Sequence, residues 1–548
     1  MARSDRFRRK LRKAVGPEVN SAVRENDGPA SRRTVVVGAG SSGGVVAARL
    51  SEDPREQVIL IEAGPDYADT EDLPEPLRDA SNPQLTGHDW DLECFFVEPA
   101  DEREAMPYPR GKVLGGSSAV NAAIAQRGTP QDFQAWVDRG NDQWGWTDVL
   151  PYYRRLEHDL EFGGEEVHGD AGPIPITRAS REEWSPAAQA IDVGFRNRGF
   201  DACSDHNDPD ASGFGPTPRN KIGIYRASSG VTYLKEARDR PNLEIRAETS
   251  AVRVLFDGTR AIGVEVDVDG ERETVEADRV VLSGGAIQTP QLLTLSGIGP
   301  KEKLEELGVD PVVESPGVGR NLQDHPYIPL VHTASGNSEP RYGFETELKY
   351  TFSEDGPSND LMVFPGVIEA SSLNFEMKDG VEAGVVANAM LAKPSSIGWL
   401  EVTSTDHTVQ PELHMNFLAA PSDTERLTHT VRLVADVLAS EPVAPEIDEP
   451  LVFPDPETLA DDDRLHAWMR KNVTTAYHCA GTCRMGPDDD PEAVVTQRLE
   501  VRGAENLFVA DASVMPEIVT GLTNITCYMI GEKLADWLRD EEVTDVAT

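Results

Sequence analysis

The chain has 548 residues, and its 95 Asp and Glu against 52 Lys and Arg give a formal net charge of −43 at pH 7. That length exceeds what one ordinary hydrophobic core organises, which predicts two or more domains. A surface this acidic disfavours nucleic-acid partners and indicates adaptation to high ionic strength, where salt screens the repulsion.

Residues 1–31 begin with a basic stretch, and polar residues rather than an apolar segment follow it. We interpret them as a flexible leader, with weak tethering to an anionic or membrane surface as the alternative. No apolar run approaches the roughly 20 residues that span a bilayer, so we expect no transmembrane segment. The five cysteines are odd in number and lack zinc-ligand spacing, which favours a reducing, cytoplasmic setting and no metal site.

Residues 34–64, TVVVGAGSSGGVVAARLSEDPREQVILIEAG, have the pattern of a strand, a glycine turn, a helix and a second strand. Gly38, Gly40 and Gly43 have G-x-G-x-x-G spacing, and Glu62 ends the second strand. This pattern is typical of a dinucleotide-binding βαβ unit, in which the helix N-terminus faces a pyrophosphate and the acid accepts hydrogen bonds from a ribose. The unit leaves FAD and NAD open, and a purely structural turn is the alternative interpretation.

Later segments repeat the pattern of a strand that ends in a glycine or an acid. A Gly/Ser turn leads into a helix within residues 110–128, and the Asp269-Gly270 pair separates two strand-like runs as in a hairpin. Residues 279–300 predict a strand, a Gly-Gly turn and a helix, and residues 507–511 predict a strand that ends in an acid. We therefore expect a discontinuous cofactor domain. The predicted division is a leader at 1–31, cofactor-domain segments at 32–160, 225–325 and 475–548, and substrate-domain segments at 161–224 and 326–474.

His478 and Asn524 are the candidate catalytic residues. His478 lies in TTAYHCAGTCRMG, where small residues allow backbone to approach a flat ligand, and Asn524 begins a predicted helix. A neutral imidazole can take the proton of an alcohol, and a second polar group can stabilise the developing alkoxide. A histidine considered alone is more often structural than catalytic.

Four segments together resemble the glucose–methanol–choline (GMC) family of FAD-dependent alcohol oxidoreductases. They are VVVGAGSSGG with Glu62, RGKVLGGSSAVN, GGAIQTPQLLTLSGIGP, and YHCAGTCRMG with VADASVMPEIVTGLTNIT. The resemblance runs from about residue 34 to 540. It implies an α/β fold with a discontinuous, Rossmann-like FAD-binding domain and an inserted α+β substrate domain on a mostly antiparallel sheet.

The resemblance also implies the cofactor site and the roles of its residues. His478 matches the active-site histidine of the family. Asn524 matches a second position that is His in some members and Asn in others, and the His/Asn pair favours the choline-type subgroup. The residues implied to bind FAD are Gly38, Gly40, Gly43 and Glu62 at the ADP half, Gly115, Gly116, Ser117 and Asn121 along the pyrophosphate and flavin, Val252 at the adenine, and Asp511 and Ala512 near the ribityl chain and pyrophosphate. Ser41, Ser42, Ala63, Asn524 and Thr526 are further implied cofactor contacts.

One position departs from part of the family. Some members attach FAD covalently through a histidine just before the Asn of the Gly-Gly motif, and this chain has Val120 there. Valine cannot form that bond, so we expect noncovalent FAD.

The reaction that the resemblance implies is oxidation of a small-molecule alcohol to an aldehyde or ketone. His478 would act as the base and the hydride would pass to flavin N5, with O₂ or a quinone or electron carrier as the final acceptor. The alternatives are a flavin-containing hydroxynitrile-lyase-like enzyme on the same fold, an NAD-dependent dehydrogenase that uses only the first βαβ unit, and a non-catalytic flavoprotein. The sequence leaves the alcohol, the acceptor and the oligomeric state open.

Overall fold

The computed structural model describes residues 32–545 apart from 69–70, 81–86, 101–102, 336–343 and 370–382. The predicted leader at 1–31 therefore lies outside the described residues.

The regular elements of the described residues are helices and strands. The helices are α1 (Ser41–Leu50), α2 (Glu75–Arg78), α3 (Pro130–Asp138), α4 (Trp146–Leu156), α5 (Pro186–Arg196), α6 (Tyr233–Ala237), α7 (Gly285–Leu295), α8 (Lys301–Leu307), α9 (Pro421–Leu438), α10 (Pro456–Ala460), α11 (Asp462–Asn472) and α12 (Thr523–Asp545). The strands are β1 (Arg32–Val37), β2 (Glu56–Ile61), β3 (Glu93–Phe95), β4 (Met106–Pro107), β5 (Glu157–Asp159), β6 (Ile174–Ile176), β7 (Gly213–Pro216), β8 (Lys221–Ile222), β9 (Tyr225–Arg226), β10 (Leu243–Arg246), β11 (Ser250–Asp257), β12 (Arg260–Val268), β13 (Glu271–Glu276), β14 (Arg279–Leu282), β15 (Ile298–Gly299), β16 (Val313–Glu314), β17 (Pro326–Ala334), β18 (Thr346–Tyr350), β19 (Leu361–Glu369), β20 (Ala383–Leu391), β21 (Trp399–Glu401), β22 (Glu412–His414), β23 (Ile447–Val452), β24 (Thr474–Thr475) and β25 (Leu507–Val509).

A five-stranded parallel sheet has the order β10-β2-β1-β14-β25. Its central strands contain apolar runs rich in Val and Ile, and the last four residues of β1 are buried. Strands of this kind suit a sheet that is covered on both faces. Helix α1 follows β1, and α12 packs along α1. The sheet joins strands from the first third, the middle and the last fifty residues of the chain, which confirms the expected discontinuous, Rossmann-like class.

A second, larger sheet has the order β23-β17-β20-β19-β18-β7, with β24 beside β17. All these pairings are antiparallel. Most of its strands come from residues after 325, and β7 comes from before the middle segment of the parallel sheet. The expected antiparallel sheet of the inserted domain is therefore confirmed, while the domain boundaries stay a prediction.

A third, three-stranded antiparallel sheet, β11-β12-β13, contains the predicted hairpin. Asp269 and Gly270 join β12 to β13 with φ angles of 53° and 87°. Positive φ at both central residues is typical of a type I′ turn, the type that Asp-Gly favours.

The five cysteines are buried free thiols. In the ranges that the structure describes, no helix combines the length and apolar character needed to cross a bilayer.

Candidate active site

A cavity of about 1500 Å³ lies against the carboxyl ends of β1, β2 and β14 and against one face of the antiparallel sheet. Ligands of open α/β sheets bind at this end of the strands. The predicted site residues that line the cavity are Gly38, Gly40, Ser41, Ser42, Glu62, Ala63, Gly116, Ser117, Asn121, His478, Asp511, Ala512 and Asn524. The two candidate catalytic residues thus share one cavity with most of the candidate cofactor residues.

Three glycine turns meet at the cavity, backbone against backbone. A Cβ on Gly38, whose φ is +95°, would lie 2.4 Å from the carbonyl oxygen of Ser283. A Cβ on Gly116, whose φ is +53°, would lie 2.8 Å from the Cα of Gly40. A Cβ on Gly40 would meet no atom closer than 3.9 Å, so it would project into open space. These turns leave a backbone-lined cradle at the N-terminus of α1, which suits a pyrophosphate.

Gly43 and Gly115 support the cradle from behind rather than line it. A Cβ on Gly43 would lie 1.9 Å from the carbonyl oxygen of Gly38, so only glycine lets α1 start so close to β1. The Gly115 N–H donates to the carbonyl of Ala39 at 3.0 Å, which links the two turns.

Glu62 directly follows β2, and its carboxylate is buried. Its two oxygens accept the backbone N–H groups of Ala39 and Gly64, both at 2.9 Å. Burial raises the pKa of Glu62 to about 7, although these hydrogen bonds oppose the shift. Further hydrogen-bond donors, such as ribose hydroxyls, would therefore stabilise the charged carboxylate.

Asn524 lies in the first turn of α12, opposite the first turn of α1. Its Oδ1 accepts the Ser41 hydroxyl at 2.8 Å, and the Ser42 hydroxyl donates to the carbonyl of Cys527 at 2.7 Å. The Nδ2 of Asn524 is buried and has no hydrogen-bond partner among the described residues. Asn524 is also one of the residues that line the cavity. Thr526 is directed elsewhere, because its hydroxyl pairs with the Tyr153 hydroxyl at 2.8 Å.

Asp511 ties the end of β25 to the start of α7. One carboxylate oxygen accepts the N–H of Ser513 at 2.8 Å. The other accepts the N–H of Gly285 at 2.9 Å and the hydroxyl of Thr289 at 2.6 Å. Asp511 therefore shapes the second glycine turn of the parallel sheet, and Ala512 follows it along the cavity wall.

The remaining predicted cofactor residues lie on loops and a bulge. Ser117 Oγ accepts the N–H of Gly111 at 3.3 Å, and Asn121 Oδ1 accepts that of Ala123 at 2.9 Å. Val252 is the extra residue of an irregularity in β11, and its neighbour Ala251, not Val252 itself, lines the cavity.

The backbone at His478 is fixed by a buried carboxylate that the sequence did not single out. Asp324 Oδ1 accepts the N–H of His478 at 2.8 Å, while Oδ2 accepts the hydroxyls of Tyr108 at 2.6 Å and Thr475 at 2.5 Å. Tyr477, just before His478, has a φ of 63°, a left-handed conformation that is uncommon outside glycine. The Asp324 contacts hold this unusual turn in place.

His325 sets the tautomer of His478. Its Nε2 lies 3.0 Å from the carbonyl oxygen of Val519, so Nε2 carries the proton and Nδ1 of His325 is an acceptor. That Nδ1 lies 3.0 Å from Nδ1 of His478, which must therefore be protonated. Nε2 of His478 is then the nitrogen with the free lone pair.

Both imidazoles are neutral over the ordinary pH range. Burial lowers the pKa of His325 to about 4. Burial, followed by the nearby His325 and the Arg110 guanidinium, lowers the pKa of His478 well below its usual value. His478 is thus available as a base at and below neutral pH. The sequence analysis did not single out Asp324 and His325, which directly precede the apolar strand β17. Two adjacent titratable residues at the start of an apolar strand are a feature by which the sequence could have indicated them.

Glu157, Asp159 and His168 form a separate buried cluster whose donor atoms lie within 4.8 Å of one another. His168 Nε2 contacts Asp205 at 2.9 Å and its Nδ1 contacts Glu157 at 3.1 Å. Arg178 pairs with Asp159 at 2.9 Å and with Asp205 at 2.5 Å. With two guanidinium groups, of Arg127 and Arg178, in contact with it, the cluster is a network of ion pairs.

Comparison with known proteins identifies the family. Models of the N-terminal and C-terminal parts of GMC oxidoreductases match residues 32–327 and 394–531. The chain belongs to the GMC oxidoreductase family. It is an FAD-dependent oxidoreductase, as the resemblance implied. The cradle of Gly38, Gly40 and Gly116 keeps side chains away from the N-terminus of α1, where a pyrophosphate can approach the backbone.

Three relatives illustrate the range of the family around this chain. It is 34% identical to the 5-(hydroxymethyl)furfural oxidase of Methylovorus sp. (strain MP688), over 92% of this chain and 97% of the relative. It is 34% identical to the mitochondrial choline dehydrogenase of Homo sapiens, over 92% and 89%. The crystal structure of pyridoxine 4-oxidase from Mesorbium loti superposes with a TM-score of 0.84 at 30% identity, over 93% of this chain and 99% of that one.

Proposed function

We propose that this GMC oxidoreductase oxidises an alcohol to an aldehyde or ketone, with His478 as the base. The observation that carries the proposal is the chain of contacts from the Val519 carbonyl through His325 to His478, because it leaves Nε2 of His478 unprotonated. A neutral imidazole beside a cofactor cradle is what removal of a hydroxyl proton requires.

In the proposed reaction, the hydroxyl proton of the alcohol passes to Nε2 of His478. The electron pair of the O–H bond forms the C=O bond, and the hydrogen of the α-carbon leaves as hydride. FAD, when bound, supplies the acceptor of this hydride. Gly38, Gly40, Glu62 and Asp511 are the residues that would hold it.

Asn524 has a supporting role in this proposal. Its Oδ1 is held by the Ser41 hydroxyl, while its Nδ2 is buried without a partner in the described ranges. A fixed amide donor can stabilise negative charge on an alcohol oxygen as the proton leaves. Asn524 would therefore orient the hydroxyl and share the developing charge.

Val120 supports a noncovalent cofactor. It is buried and lines the cavity beside Asn121. Its side chain offers no nucleophilic nitrogen for attachment to the flavin, so binding would depend on the glycine turns and their polar neighbours.

An anaerobic screen tests the proposal. Purified protein is mixed with choline, benzylic alcohols, polyols and short alkanols in molar salt, and the visible flavin absorbance and carbonyl product are followed. We expect bleaching with at least one alcohol and one equivalent of product per FAD. Cleavage of a cyanohydrin without bleaching would instead favour a lyase. Admission of air then separates an oxidase, which recovers its colour rapidly, from a dehydrogenase that needs another acceptor.

A further inference from the structure

The carbonyl of Val519, which sets the tautomers of His325 and His478, lies in a loop without regular secondary structure. The loop, residues 515–522, leads from the last strand of the parallel sheet towards α12. Its residues 518–520 are nevertheless buried, with exposed fractions of 0–1%. A loop has no helix or strand ladder to fix the direction of its carbonyls, so other partners must do so.

A buried ion pair holds the loop on both sides of Val519. The ammonium of Lys393, just after β20, lies 3.0 Å from Oδ1 of Asp132, in the first turn of α3. Lys393 also donates to the carbonyl of Ile518 at 2.8 Å. Asp132 accepts the N–H of Thr520 at 2.9 Å and the hydroxyl of the same residue at 2.8 Å.

The ion pair is anchored by its own neighbours. Thr129, the N-cap of α3, donates its N–H and its hydroxyl to Oδ2 of Asp132 at 2.8 and 3.0 Å, and Lys393 also contacts Glu517 at 2.6 Å. Burial alone would raise the pKa of Asp132 and lower that of Lys393. The opposite charge and the hydrogen bonds outweigh burial, so the pKa of Asp132 is lowered and that of Lys393 is raised. Both groups are therefore charged.

The contact between Asp132 and the N–H of Thr520 fixes the direction of the Val519 carbonyl. The two groups belong to one planar trans peptide, in which the C=O and the N–H point in opposite directions. With the N–H on Asp132, the carbonyl oxygen points away from it and lies 3.0 Å from Nε2 of His325. A carboxylate on the N–H also polarises the peptide, which makes the carbonyl a stronger acceptor.

A continuous chain of hydrogen bonds therefore joins a buried carboxylate to the candidate base. His478 donates to His325, His325 donates to the carbonyl of Val519, and the N–H of the same peptide donates to Asp132. All three bonds are donated in the direction of Asp132. This common direction leaves Nε2 of His478 with its lone pair free.

We infer that Asp132 and Lys393 are positioning residues, which orient the Val519 carbonyl and thereby select the tautomer of His478. The inference rests on the proposed function, since it concerns the base of the same reaction. Without the ion pair the carbonyl is released, so His325 can carry its proton on Nδ1 and His478 can carry its proton on Nε2. Molecules in that state lack the lone pair that accepts the hydroxyl proton.

A readout without turnover reports the tautomers directly. ¹⁵N NMR of the FAD-loaded protein with ring-labelled histidine distinguishes protonated from unprotonated ring nitrogens, and His325→Gln and His478→Gln assign the two rings. In the wild type we expect Nε2 to be protonated on His325 and unprotonated on His478. In Lys393→Met both rings should become mixtures of tautomers, and Lys393→Arg, which keeps the charge, should restore the wild-type spectrum. Wild-type tautomers in Lys393→Met would overturn the inference.

Single-turnover flavin reduction separates positioning from a structural role. Lys393→Met should slow reduction by the best alcohol at least about fivefold and leave the apparent Kd of the alcohol within about twofold, because one orienting hydrogen bond is lost. In a His325→Leu background the same substitution should change the rate by less than about twofold, since no tautomer of His325 remains to be selected. Equal slowing in both backgrounds would show that Lys393 has a structural role only.

Arg279→Met is the matched control. Arg279 pairs with Glu56 at 3.2 Å, and their side chains are 5% and 1% exposed, against 9% and 1% for Lys393 and Asp132. This pair joins the first residues of β14 and β2, at the end of the parallel sheet opposite the cavity. The control should lower the melting temperature and keep the tautomers and the reduction rate. A changed histidine spectrum in the control would contradict the inference.

The inference and the proposed function fail in different ways. If alcohols reduce the flavin and Lys393→Met keeps both the tautomers and the rate, the inference fails alone. If no alcohol reduces the flavin, the proposed function fails, and the spectrum still decides the role of the ion pair. Should Lys393→Met not fold or not hold FAD, Thr520→Val decides, because it removes one contact with Asp132 and no charge. Its histidine tautomers should shift, and an unchanged spectrum would refute the inference.

Discussion

The Nδ1 atoms of His325 and His478 lie 3.0 Å apart, and the other nitrogen of His325 is fixed by the carbonyl of Val519. Because that carbonyl can only accept, a single tautomer of each ring satisfies both contacts. The backbone carbonyl of Val519 thereby determines which ring nitrogen of His478, the candidate base, is unprotonated.

The first prediction concerns the pH dependence of kcat/KM. The pKa of His478 is lowered well below its ordinary value by burial, His325 and Arg110, so the base stays unprotonated as the pH falls through 6.5. We expect kcat/KM to be constant on the acidic side of neutrality and to fall only well below pH 6.5. An acid limb at or above that pH, in a buffer series at constant salt, would contradict the buried neutral pair.

The second prediction separates positioning by His325 from mere packing. His325→Leu removes the acceptor for Nδ1–H of His478. The tautomer of His478 with its proton on Nε2 can then form, so kcat should fall by about 10- to 100-fold. His325→Gln can accept the same hydrogen bond and should recover part of that loss. Equal activity of the two variants at equal FAD content would assign His325 a packing role only.

The third prediction concerns the glycine cradle. Gly116→Ala would place Cβ 2.8 Å from the Cα of Gly40, so the turn must shift and FAD affinity should fall by at least tenfold. Gly258→Ala is the matched control, because its φ is also positive, at +62°, but nothing lies within 4 Å of the added Cβ. The control should lose about 1 kcal/mol of stability and keep its FAD. Dissociation constants from flavin fluorescence decide the comparison.

The fourth prediction follows from Val120. Acid precipitation of the holoenzyme should release all flavin into the supernatant, where it is measured by absorbance. Yellow colour that remains with the pellet would indicate a covalent bond formed by another residue.

The fifth prediction concerns stability against pH. Burial alone would lower the pKa of His168, but hydrogen bonds to Asp205 and Glu157 outweigh it and raise the pKa to about 9. A raised folded-state pKa stabilises the protein fully below the unfolded value of about 6.5, and this contribution disappears as the pH rises to about 9. The free energy of unfolding should therefore fall by roughly 2–3 kcal/mol over that window.

His168→Gln provides the comparison for this stability effect. The variant should be less stable at neutral pH and should lack the part of the pH dependence between 6.5 and 9. Denaturant titrations at several pH values measure both quantities, and parallel curves for the two proteins would refute the role of His168.

The local parts of the site could be predicted from the sequence, while the long-range parts could not. Gly38, Gly43 and Glu62 belong to one βαβ unit, so spacing alone indicates their arrangement. Asp324 and His325 meet His478 about 150 residues later only because β17 and β24 pair. Thr526, another predicted cofactor contact, lies two residues after Asn524, and two residues of helix turn it by about 200°. Its hydroxyl accordingly contacts Tyr153.

The most direct test of the account compares the wild type with His478→Gln in a single anaerobic turnover. Both proteins are first shown to hold equal FAD, and the rate of flavin bleaching by the best alcohol is then measured. The account predicts at least a 100-fold lower rate in His478→Gln. A rate within about threefold of the wild type would contradict the role of His478 as the base.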